Sequence, residues 1–361
     1  MSSDRILLST RKGLIVLNRS NGWAIERHEF AGVGISCAVV DPRTGVWWVG
    51  QKHGHFGPQL LHSHDEGATW HDHVSVSYPA ATTKADGEPA ALTEVFTIQP
   101  GLDSQPKRLW MGTLPGGLFR SDDGGETWDF VQSYWDQPHR PEWFGAGTDD
   151  PALHSICVDP RDSRVVRVGS SVAGVFETRD DGETWTTITN GMDAEYMPDP
   201  SVNVPQDPHL VRQSPTNPDV LWSQHHCGIY RSGDAGTTWQ CVSEPEGDNR
   251  VAHFGFAVAV ADDDPDTAWV VPANQDDNRS SVNQAMCVAR TNDGGRTWQA
   301  LRNGLPQTGS FDIVYRHCLA YDRNSLAFGS TTGNAYVSDD RGDSWACLGT
   351  GFPPIYAVNF A

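Results

Sequence analysis

Apolar residues in this chain come in short runs, four to seven positions long, each closed off by a cluster of Asp, Gly, Asn, Ser or Pro. One grammar repeats. An apolar segment ends in Asp-Pro or a variant of it, a Trp- or Val-rich segment follows, then a Gly-containing loop, a segment such as Gly117-Leu118-Phe119-Arg120, a polar octet, and a segment that opens on Trp. Runs of β-branched and aromatic residues between turn clusters predict strands, four to a repeat.

The octet Ser121-Asp122-Asp123-Gly124-Gly125-Glu126-Thr127-Trp128 is the clearest landmark. Related octets are Ser63–Trp70, Thr178–Trp185, Ser232–Trp239, Thr291–Trp298 and Ser338–Trp345, and a worn copy, Asn18-Arg19-Ser20-Asn21-Gly22-Trp23, precedes them. Asp and Gly supply the local hydrogen bonds and backbone angles of a tight turn, and the Trp needs an apolar neighbour, so the octets are read as structural. The seven Trp fall roughly 47–59 residues apart, a period that marks a toroidal or solenoid repeat.

The pattern Ser/Thr-x-Asp-x-Gly-x-Thr/Ser-Trp resembles the Asp-box of the bacterial-neuraminidase-repeat propellers, a superfamily that includes sialidases, xyloglucan-active hydrolases, sortilin-type receptors and photosystem assembly factors. The resemblance runs over nearly the whole chain and implies an all-β, seven-bladed propeller with four-stranded blades. It implies little about chemistry, since such relatives share turns rather than reactions.

Residues 5–30 provide only three strands, Ile6–Ser9, Gly13–Asn18 and Trp23–Glu29, while Ile355–Phe360 follows the last repeat with no successor. The C-terminal strand is therefore expected to enter blade one as its innermost strand, closing the ring and removing its open edges. The innermost strands of the other blades are predicted at Ile35–Asp41, Glu94–Gln99, His154–Asp159, His209–Ser214, within His253–Ala261, and at His317–Asp322. A uniform repeat over 361 residues makes 1–361 one domain.

The net charge of −20 argues against nucleic acid or an anionic membrane surface as a partner. The first residues lack a basic segment followed by a long apolar run, and seven scattered cysteines without a Cys-x-x-Cys pair read as core residues of a reducing compartment, so a cytoplasmic location is expected.

Aligned on their closing Asp-Pro-like residue, three innermost strands begin with His154, His209 and His317, and blade three places Glu94 at the same level. Imidazoles and one carboxylate converging at the rim of a channel would suit a divalent transition metal, with Zn or Fe favoured over Mg or Ca. His253, His225, His226 and His53 are reserve ligands. Glu94, Arg140, Asp150 and Arg279 are the candidate catalytic residues; Arg140 and Asp150 lie with Trp143 in the long loop 129–153, which like 71–93 and 186–208 exceeds what a strand connection needs, and Arg279 lies in the loop of blade six. A small-molecule substrate at such a metal is the leading expectation.

Two further readings stand beside it. Sialidase-like hydrolysis without a metal would draw on Arg11, Arg140, Arg250, Arg279 and Arg316, with Tyr315 and either Glu244 or Asp312, although the Arg-Ile-Pro segment of sialidases is missing. Xyloglucan-active relatives carry paired aspartates in long loops, which Asp149-Asp150 or Asp276-Asp277 would imitate. The third reading is a non-catalytic platform for another protein, with Tyr134-Trp135 and Trp143-Phe144 as its contact patch.

Overall fold

A computed structural model describes residues 3–72, 76–145, 150–245 and 250–361; Asp149 lies outside them. Seven four-stranded antiparallel sheets form the ring, with almost no helix. Blade one is completed by Ile355–Phe360, which pairs antiparallel with Arg5–Thr10, Ile6 facing Phe360 and Leu8 facing Val358. The closure is as expected: Ile6, Leu8, Ile355 and Val358 are all buried, in one apolar cluster with Leu326 and Phe328 of blade seven.

The remaining innermost strands are Gly34–Val40, Glu94–Pro100, Leu153–Val158, Pro208–Gln213, Gly255–Val260 and Leu319–Asp322. In blades two to five each carries a one-residue register shift near its start, between Ile35 and Cys37, Val95 and Thr97, Leu153 and Ser155, and Pro208 and Leu210. The extra residue of such a bulge leaves the ladder and re-aims its side chain. The bulged residues are Ser36, Phe96, His154 and His209, so the two histidines do share a register. Glu94 does not share it. Blade three is offset by two residues because its strand closes on Gly101, whose amide bonds Arg108 O, whereas blade four closes on Asp159, whose amide bonds Val165 O. Pro100 is therefore not the counterpart of Pro160, and Phe96 stands where Glu94 was expected.

All six full octets fold alike. The Ser or Thr hydroxyl accepts the amide of the Gly four residues on at 2.8–2.9 Å. The Asp carboxylate accepts the amide and hydroxyl of the following Thr or Ser, as Asp65 does from Thr69 at 2.8 and 2.7 Å. Gly125 has φ +91°, and a Cβ there would meet the Trp48 ring, so both angle and space call for glycine. The indoles tie neighbouring blades, Trp239 Nε1 to Ile188 O at 2.7 Å and Trp298 Nε1 to Val242 O at 2.8 Å.

Candidate functional site

Two cavities on the face where the innermost strands begin share Arg279 and Arg316, and together form one funnel over the channel. Arg11, Lys12, Lys52 and Glu94 stand on one side of it; Tyr196, Asp207, His209, His226, Phe254, Phe256 and Asp276 line the other.

Asp207 lies just before the innermost strand of blade five, and His226 just after the strand Leu221–His225 that pairs with it, Pro208 opposite His225. The His226 amide closes this end of the hairpin on Asp207 O at 2.9 Å. Hairpin geometry thus sets Asp207 against His226, and the bulge turns His209 toward both. Asp207 Oδ2 is 3.5 Å from His209 Nε2 and 3.5 Å from His226 Nδ1. Asp207 Oδ1 accepts the Val172 amide at 3.0 Å, and the Asp207 amide is held by His225 Nε2, also at 3.0 Å. His209 Nδ1 lies 2.6 Å from Gly255 O, and its ring stacks on Phe256 at 4.7 Å. On the rim, His226 Nε2 is 3.6 Å from Asp276 Oδ2.

Burial alone would raise the Asp207 carboxyl, but His209, His226 and the Arg316 guanidinium hold it well below the usual carboxylate range. Burial pushes the His209 imidazole down. Gly255 O, which can only accept, requires a His209 proton on Nδ1.

The expected ring of ligands is not assembled. His317 does reach the channel, but its Nε2 donates to His154 O at 2.8 Å and its ring meets Phe96 edge-on. His154 is buried in the blade wall beside the Gly169 backbone, its Nδ1 2.8 Å from Ser155 Oγ. Glu94 pairs with Lys52 at 2.7 Å. His53 caps its own hairpin, accepting the His55 and Phe56 amides at 3.1 Å. His253 lines smaller clefts with Arg250, and His225 lies beneath the site, on the Asp207 backbone. Among the described residues the group able to hold an ion is Asp207, His209 and His226; the two histidines are among the expected ligands, and Asp207 is not.

Of the expected catalytic residues, Arg279 lines the funnel, its Nε donating to Asp276 O at 3.1 Å. Arg140 does not. Its guanidinium is clamped between Trp135 and Trp143, 3.6 and 4.8 Å from their ring centroids, and donates to Gly116 O. Asp150 lies within 3.4 Å of Lys84 Nζ. Asp312 is taken up by Ser310, Ser330 and Asn334, and Glu244 by the Val251 and Ala252 amides, so neither can serve Tyr315 as a catalytic partner. Tyr134, Trp135 and Trp143 are core residues rather than a contact patch; Phe144 is exposed and lines the funnel.

No family model matches the chain. The chain is 24% identical over 271 residues to an oligoxyloglucan-reducing end-specific xyloglucanase of Emericella nidulans, covering 68% of this chain and 31% of that protein. A xyloglucanase of a Paenibacillus species is 24% identical over 304 residues, 74% of this chain and 28% of its own length. The chain thus spans less than a third of the length of these curated relatives. Among solved structures, an ancestral GH74 enzyme superposes over 88% of this chain and 39% of its own with a TM-score of 0.60 at 17% identity. YCF48, solved bound to D1 peptide, superposes over 86% of this chain and 84% of its own with a TM-score of 0.50 at 16% identity. These superpositions speak for the propeller fold. No helix among the described residues is long and apolar enough to cross a membrane.

Proposed function

We infer that this protein is a glycoside hydrolase of the Asp-box propeller type acting on an oligosaccharide in the funnel over its channel, with Asp207 and Asp276 as the reacting carboxylates. The xyloglucanase relatives support glycosidic-bond hydrolysis over the metal-centred reaction expected from the histidine register. One observation carries the assignment to this site: Asp207 and Asp276 flank the two edges of the single His226 imidazole. These two contacts allow their near oxygens to stand up to about 9 Å apart, room for a water between them, the spacing that inverting hydrolysis requires.

Asp207, kept ionised, takes a proton from the attacking water as its oxygen bonds to the anomeric carbon. Asp276, on the rim, is the acid of the pair and gives a proton to the departing sugar oxygen as the glycosidic bond breaks, which requires that bound substrate shield its carboxyl from water. Phe144, Phe254, Phe256 and Tyr196 offer apolar faces to sugar rings, while Arg279 and Arg316 offer donors to hydroxyls or an acidic substituent.

Assay against a panel of β-glucan and xyloglucan oligosaccharides tests the reading, with the anomer of the fresh product followed by NMR. Asp207→Asn is expected to lower kcat at least about hundredfold, and the product is expected with inverted configuration. Hydrolysis unaffected by Asp207→Asn, or retention of configuration, would overturn the assignment.

A further inference from the structure

We propose that Asp207, His209 and His226 form a binding site for one divalent transition-metal ion, a Zn²⁺- or Fe²⁺-like cation, opening into the funnel. One ligand atom from each residue lies within 4.8 Å of the others, with two of the separations at 3.5 Å. Donors bonded to one ion at ~2.1 Å stand about 3–3.5 Å apart at tetrahedral or octahedral angles, so small rotamer adjustments complete the set. Two imidazoles and a carboxylate on one side of an ion leave the opposite positions to water or substrate.

The supporting contacts favour an ion over an incidental polar cluster. His209 Nδ1 is taken by Gly255 O, so Nε2 is the ring nitrogen turned to Asp207 Oδ2 and the one placed to coordinate. Asp207 is anchored through its other oxygen by the Val172 amide, leaving Oδ2 for coordination. His226 has Asp276 beside its far nitrogen, the carboxylate–imidazole arrangement that fixes the tautomer of a metal-bound histidine. Both imidazoles are further fixed by ring contacts, His209 with Phe256 and His226 with Tyr196. The hairpin of blade five supplies all three donors, so the site is set by one rigid element.

The inference rests on the hydrolase reading of the same funnel and refines it. A bound ion would acidify a water on its open side, the proton passing to solvent, and Asp207 would then serve as ligand rather than as base.

The test uses the full chain, freed of metal with chelator and titrated calorimetrically with Zn²⁺, Mn²⁺ and Co²⁺, with Co²⁺ absorbance as a geometric probe. One ion per chain is expected, with a rise in Tm. His209→Gln and His226→Gln are each expected to weaken binding at least about hundredfold; His53→Gln, on the exposed hairpin of blade two, is expected to leave it unchanged. Absence of stoichiometric binding, or undiminished binding in a folded His209→Gln/His226→Gln variant, would overturn the site. Ion uptake without hydrolysis of any glycan supports the site and sinks the hydrolase reading. Hydrolysis indifferent to chelator sinks the metal and leaves that reading standing.

Discussion

His317 of blade seven donates its Nε2–H to the backbone carbonyl of His154 in blade four, 2.8 Å away on the other side of the channel. The contact fastens two distant sheets and fills the axis with an imidazole, so the funnel has a floor. Burial, with Arg212 and Arg316 nearby, pushes the His317 imidazole down to about 3, against which the bond to His154 O acts weakly.

The sign of its pH effect follows. The unfolded chain protonates this histidine below about 6.5, whereas the folded chain resists until about 3. Its contribution is therefore present above pH 6.5 and lost as pH falls toward 3. His317→Gln is expected to flatten the pH dependence of chemical-denaturation stability in that window. The variant should also cost about 1–3 kcal/mol at pH 7 from the disturbed bond and packing. An unchanged slope would mean that His317 does not carry it.

Ring closure gives a second prediction. Ile355–Phe360 is the innermost strand of blade one, and Ile355 and Val358 are buried between the first and last blades. Deleting residues 354–361 is expected to remove the single cooperative melting transition and give an aggregating chain, by calorimetry and light scattering. Fraying of the tail alone, with a normal transition, would contradict it.

The octets are expected to matter for stability and not for turnover. Thr178 is buried and its hydroxyl accepts the Gly182 amide, so Thr178→Val leaves that N–H without its partner at a cost of about 1–3 kcal/mol. Hydrogen bonds from Thr69, Thr184 and Thr297 hold Asp65, Asp180 and Asp293 down at about 2. Depressed carboxylates stabilise the fold above about pH 4, and that stability is lost as pH falls toward 2, so acid unfolding should set in across this interval. Denaturant midpoints between pH 5 and 2 check it; a flat profile would assign acid unfolding to other groups.

The fold was legible because each octet states its own turn in sequence, and because a strand missing at one end of the chain was found at the other. The site was legible only in part. His209 and its register could be read, since Ser214-Pro215 marks the strand end correctly. Glu94 was misplaced because Gln99-Pro100 imitates that mark two residues early. Asp207 needed hairpin pairing to be seen, which brings it to His226, 19 positions along the chain; the Asp207-Pro208-His209 and His225-His226 pairs were the available signal. Arg140 looked catalytic as a charged residue in a long aromatic loop, yet two indoles clamp its guanidinium, a role no local pattern distinguishes.

That clamp distinguishes Arg140 from Arg316, and the contrast makes the last prediction. Arg140 stabilises the loop 129–145 through two aromatic faces and one carbonyl, so Arg140→Lys, which keeps the charge but loses the planar stack, is expected to lower Tm. Arg316 lines both halves of the funnel, has a buried Nε without a hydrogen-bond partner, and forms no ion pair among the described residues. A guanidinium so placed is available to a ligand. Arg316→Lys is therefore expected to leave Tm nearly unchanged while raising KM for an oligosaccharide substrate about tenfold, because an ammonium cannot reproduce two parallel N–H donors. Thermal melts and Michaelis constants on the two variants form a crossed test: a stability loss confined to Arg316→Lys, or a KM change confined to Arg140→Lys, would reverse the roles given to these arginines.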